Sequence, residues 1–70
     1  MKTVIMGHTI EFDPATAESG HYYLSRELDD DERRVFFDQA YNKGFAVFED
    51  HLGSKFKLVH HGGEYQLVKA

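Results

Sequence analysis

The sequence predicts a small single α+β domain, in which an antiparallel sheet made of an N-terminal hairpin and a C-terminal three-stranded meander packs against one α-helix. Three observations carry this. Residues 55–69 alternate apolar and polar around Gly62-Gly63, the pattern of a hairpin with one buried face. Residues 29–44 open with acids at capping spacing and close on a glycine, with apolar side chains at helical spacing between. Finally, a chain of 70 residues buries only about 60% of its unfolded surface, which leaves room for one core. Six Phe and four Tyr supply the bulk that this core needs in a sequence without cysteine.

Taken in order, residues 2–12 are rich in β-branched and large apolar types around Gly7-His8, which reads as a hairpin with a two-residue type II′ turn. That turn sets Ile5 opposite Ile10 and Thr3 opposite Phe12, with Ile5, Ile10 and Phe12 facing inward. Asp13-Pro14 then ends the strand, and the small residues from Ala15 to Gly20 read as a mobile loop. Tyr22-Tyr23-Leu24 reads as a short strand, the alternative being the approach to a helix. From about residue 30 to 43 a helix is expected. Asp29 and Glu32 cap its start, Phe36, Phe37, Ala40 and Tyr41 form its core stripe, Val35 falls off that stripe, and Gly44 occupies the left-handed position after its end. Phe45 to Phe48 forms a strand, Gly53 marks a turn, and the hairpin about 55–69 sets Leu58 opposite Leu67 and His60 opposite Tyr65.

The formal charge of −4 is unevenly placed. Residues 1–50 hold eleven acids against five bases, a balance of −6, and residues 51–70 hold Lys55, Lys57 and Lys69 against Glu64, a balance of +2. A general nucleic-acid binder needs a continuous basic stripe to displace counterions from phosphates, so this balance disfavours nucleic acid and favours a basic protein partner. Neither a signal peptide nor a run of about 20 apolar residues is present, so no membrane association and a cytoplasmic location are expected.

No enzyme signature emerges. Ser19, Ser25 and Ser54 sit in no nucleophile elbow, there is no thiol, and the glycines match no phosphate-binding loop. His60, His61 and Glu64 are the tightest grouping of metal-ligand types, but adjacent strand residues point to opposite faces, so no metal and no cofactor are expected. The run Asp29-Asp30-Asp31-Glu32 lacks the spacing of a calcium loop. Helix capping accounts for it, and with Glu27 and Asp38 it also presents a negative surface.

One stretch, Lys43-Gly44-Phe45 followed by Gly53-Ser54-Lys55 and His60-His61-Gly62-Gly63, resembles HicA-type RNA-cleaving toxins. The resemblance covers less than half the chain and implies a double-stranded-RNA-binding-like fold. Those toxins carry a catalytic His directly after the Gly-Ser pair, where this sequence has Lys55, so no catalytic residue carries over. Three functional expectations follow. The first is a non-enzymatic protein-binding module, an acidic inhibitor or regulator of phage or mobile-element type. Its face of Glu27, Asp29, Asp30, Asp31, Glu32 and Asp38 would dock on the basic surface of a nucleic-acid-handling protein. The second is an RNA-binding domain that uses Lys55, Lys57, His60 and His61. The third is a homodimer that buries an edge strand, or Val35 with Tyr22 or Tyr23.

Overall fold

The computed structural model describes residues 1–70. Strands β1 (Lys2–Ile5) and β2 (His8–Phe12) form a hairpin, helix α1 (Pro14–Tyr22) runs on into a π-helical turn (Tyr23–Glu27), and helix α2 (Asp30–Lys43) follows. Strands β3 (Phe45–Glu49), β4 (Lys55–His61) and β5 (Glu64–Lys69) complete a five-stranded sheet in the order β1-β2-β5-β4-β3. Both helices cover the same face of the sheet, which leaves the other face open.

The α+β class holds, with two corrections to the architecture. The sheet is mixed: β5 pairs antiparallel with β4 but parallel with β2, Ile10 lying opposite Tyr65 and Phe12 opposite Leu67. Local pattern fixes how each hairpin folds but not which edges of the two hairpins meet, or in which direction. In addition, a second helical segment occupies the region expected as loop and strand. Asp13 is the N-cap of α1, its Oδ1 accepting the Ala15 N–H at 2.9 Å, and Pro14 takes the first helical position, where its missing N–H costs nothing. Within α1 only Ala17 and Gly20 are buried, a stripe too narrow and too small to show as helical periodicity. Tyr22-Tyr23-Leu24 accordingly ends α1 and enters the π turn, with Leu24 in the core and Tyr22 exposed.

In the N-terminal hairpin the turn is Met6-Gly7, both at positive φ (52° and 79°), the type I′ geometry in which glycine takes the second place. Ile5 therefore pairs with His8 and Thr3 with Ile10, a slip of two residues from the expected register. A slip of two leaves the faces unchanged, and Ile5, Ile10 and Phe12 all point into the core. The C-terminal hairpin has Leu58 opposite Leu67 and His60 opposite Tyr65.

α2 starts on a capping box, in which Asp29 accepts from the Glu32 N–H at 2.8 Å and Glu32 accepts from the Asp29 N–H at 3.4 Å. It ends at Gly44, whose φ of 92° suits a residue without Cβ. Phe37 and Ala40 are buried and Phe36 is partly so, but Tyr41 is 65% exposed, outside the stripe expected of it. The narrow seam of α2 is filled by Phe37 and Ala40, and Tyr41 reaches only the rim, where its ring meets His60. The core unites the inner face of the sheet with Ala17, Leu24 and Leu28 from the first helical segment and with Phe37 and Ala40 from α2. No helix is long and apolar enough to cross a membrane.

Candidate functional site

The capping that starts α2 also decides what its acids can do. Asp29 and Glu32 turn back onto their own helix, Asp30 accepts from Arg33 Nη1 at 2.9 Å, and Asp31 lies 3.9 Å from Arg34 Nη1. Glu27, on the π turn, pairs with His51 Nδ1 at 2.7 Å and so ties that turn to the β3–β4 connection. The acidic set is therefore divided. Glu27, Asp29, Asp30 and Glu32 serve the local structure, whereas Asp31 is 93% exposed in its side chain and its pair with Arg34 is too long and too wet to neutralise it. One and two turns beyond Asp31, at i+4 and i+7 on the same stripe, come Val35, 62% exposed, and Asp38. The outer face of α2 thus carries two free carboxylates on either side of an exposed apolar side chain.

The four residues of the basic alternative are not brought together. Lys55, Lys57 and His61 lie on the open face, while His60 lies on the covered face between the rings of Tyr41 and Tyr65, 5.0 Å from each. On the open face Lys55 is opposite Glu49, and the Lys57 ammonium stands 5.2 Å over the Phe45 ring. His61 borders a depression of about 210 Å³ lined also by Glu11 and Glu64. Acids stand beside Lys55 and His61, Lys57 leans over an aromatic ring, and His60 is on the other face, so the four do not form a continuous positive track of the kind a phosphate backbone needs. His60 and His61 diverge, and no three His, Asp or Glu side chains converge as a metal ion would require.

Beneath Tyr65 the rings form a continuous group. Its edge meets Phe37 and His8, whose own rings stack at 4.7 Å. Burial pushes the Tyr65 phenol up, and Asp38 and Tyr41 add to the effect, so the ring stays neutral and serves packing.

Three structural roles escaped the sequence. Arg33 sends Nε to the Leu24 carbonyl at 2.6 Å and Nη2 to those of Ser25 and Leu28 at 3.0 and 2.6 Å, closing the end of the π turn. Asp50 holds the β3–β4 connection by accepting from the N–H groups of Leu52 and Ser54. Burial pushes its carboxyl up, but those two backbone donors, with Ser19 and His51, outweigh burial and hold it below the usual carboxylate range. The spacing from Asp50 to Gly53-Ser54 is the one signal that could have revealed this turn. His21 stacks on Phe12 at 4.3 Å and shares a 2.8 Å hydrogen bond with Thr3 Oγ1. Burial lowers its affinity for a proton, Glu18 opposing and Arg26 assisting.

The last two groups make stability depend on pH on the acid side. The unfolded chain binds more protons than the native state at His21 below the ordinary value of 6.5, and at Asp50 below 3.8, so stability falls on acidification in both windows. Urea midpoints measured against pH are expected to decline in two steps. His21→Gln should remove the upper step and leave the lower one; an upper step that persists in that variant would assign it to another group.

Compared with models of known protein families, with curated proteins and with solved structures, the chain matches none. The resemblance to HicA-type toxins therefore rests on the quoted residues alone. Of these, Gly53-Ser54 belongs to the Asp50 turn and Lys55 opens β4.

Proposed function

We propose that the protein is a non-enzymatic binding module that docks the outer face of α2 on a basic surface of a protein partner, such as the phosphate-binding groove of a nucleic-acid-handling protein. The supporting observation is the stripe Asp31, Val35, Asp38. It offers negative charge that capping has not consumed, next to an apolar contact that the fold itself leaves uncovered. Charges so placed accelerate encounter with an oppositely charged surface, and the apolar residue adds contact that charge alone does not give. Relative to the sequence reading, the docking face shifts along α2, away from Glu27, Asp29, Asp30 and Glu32 and toward Asp38.

The test is capture on immobilised protein, followed by quantitative binding of the captured partner. Asp31→Lys with Asp38→Lys is expected to weaken that binding roughly tenfold or more and to flatten its salt dependence. Lys55→Glu with Lys57→Glu should leave it unchanged. Binding that ignores the α2 reversals but fails in the β4 pair would reject this reading in favour of the open sheet face.

A further inference from the structure

A second surface of the molecule is prepared for a different contact. The sheet has two edge strands, β1 and β3. Edge strands expose unpaired backbone groups, and soluble proteins usually protect them with lysine, proline or a bulge. β1 carries Lys2. β3, with the sequence Phe45-Ala46-Val47-Phe48-Glu49, has none of these devices, and its register with β4 runs without interruption from Phe45 opposite Val59 to Glu49 opposite Lys55.

The direction of its backbone groups follows from one hydrogen bond. The His60 N–H donates to the Gly44 carbonyl at 3.0 Å, which fixes the phase of the ladder: Ala46 and Phe48 bond to β4, and the N–H and C=O groups of Phe45, Val47 and Glu49 point away from the sheet. The same three residues place their side chains on the open face, where Phe45 and Val47 are each 47% exposed.

We propose that β3 is the interface between two copies of this chain, paired antiparallel about a two-fold axis through Val47 so that the two sheets become one. In that register Val47 faces the partner's Val47 and Phe45 faces the partner's Glu49, so every outward N–H and C=O of β3 meets a complement. Charge selects the second copy as occupant. The Lys57 ammonium already lies 5.2 Å over the Phe45 ring, on the same open face that the partner's Glu49 would occupy opposite Phe45. Symmetry makes this ion pair twice, once for each Lys57. The two α2 helices then run antiparallel on the covered face of the joined sheet. A strand pair of this length belongs at the small end of specific interfaces, so the dimer is a concentration-dependent equilibrium.

Sedimentation of the full chain from micromolar to millimolar concentration is expected to show reversible dimerisation, with the Val47 amide protected from hydrogen exchange only at the upper end. Val47→Glu sets two carboxylates against each other on the axis while placing a favourable charge opposite Lys57 within its own chain, so folding is retained and dimerisation weakens roughly tenfold or more. Glu49→Lys should weaken it as well, and adding Lys57→Glu should restore it; circular dichroism verifies that each variant is folded. The proposal is overturned by a chain that stays monomeric to millimolar concentration, by a dimer in which the Val47 amide exchanges freely, or by a dimer indifferent to Val47→Glu. Asp31→Lys with Asp38→Lys should leave dimerisation intact, which separates this contact from the docking face of α2.

Discussion

Gly20→Ala is expected to destabilise the protein by about 2 kcal/mol, lowering the melting temperature by about 8–16 °C, although alanine is the better helix former by about 1 kcal/mol. The reason is contact. A Cβ on Gly20 would lie 2.7 Å from Cγ and Cδ1 of Phe56 and 2.9 Å from Cδ2, so α1 rests directly on the face of that ring. Phe56 is 1% exposed, and its ring is also packed against Phe48 at 5.8 Å, so it has little room to retreat. For a domain of this length the whole stability is about 4–10 kcal/mol, so a branched residue at position 20 is expected to abolish folding. Thermal melts of Gly20→Ala and Gly20→Val decide the point, and Phe56→Leu in the Gly20→Ala background should recover part of the loss. A rise in melting temperature for Gly20→Ala would show that propensity rather than packing governs α1.

Arg33→Ala should cost about 2–4 kcal/mol, because it removes the donors for three carbonyls at the end of the π turn and leaves Asp30 without its partner. The Arg33 side chain is only 11% exposed, so water cannot readily substitute for it. Arg33→Lys is expected to recover little: a single ammonium cannot serve carbonyls of Leu24, Ser25 and Leu28 that converge from different directions, as the planar fork does. Melting temperatures of the two variants test this directly. A lysine variant as stable as the parent would mean that charge at position 33, rather than the fork, is what the turn requires.

Both effects sit where the sequence was least legible. The C-terminal hairpin and α2 could be read because their signals are local: alternation about Gly62-Gly63 in one case, and a capping box with a terminal glycine in the other. α1 was hidden because its buried residues are Ala17 and Gly20, whose value lies in what they allow to approach rather than in apolar surface of their own. Asp13-Pro14 carries the signal for the end of a strand, and it is equally the start of a helix. Arg33 gave no signal because its partners are main-chain carbonyls aimed by the π turn, a feature with no sequence period. At the candidate site the run of acids was visible, but not their division. Capping geometry and the Arg33 and His51 partners decide which carboxylates remain available, and Asp31, only loosely paired with Arg34, and Asp38 emerge with Val35 between them.

The parallel pairing of β2 with β5 also governs the order of assembly. β5 is last in sequence yet central in the sheet, and it joins Ile10 to Tyr65 and Phe12 to Leu67 from nearly opposite ends of the chain. Until Tyr65 to Leu67 has been synthesised, the β1–β2 hairpin has no neighbouring strand, and a lone hairpin is marginal in water. Such long-range closure is slow compared with helix formation, so α2 and the β3–β4 pair can form early while the core waits for its final strand. A nascent chain would then emerge with β4 unpaired along one side, and folding would close in a single late step when β5 enters between the two halves.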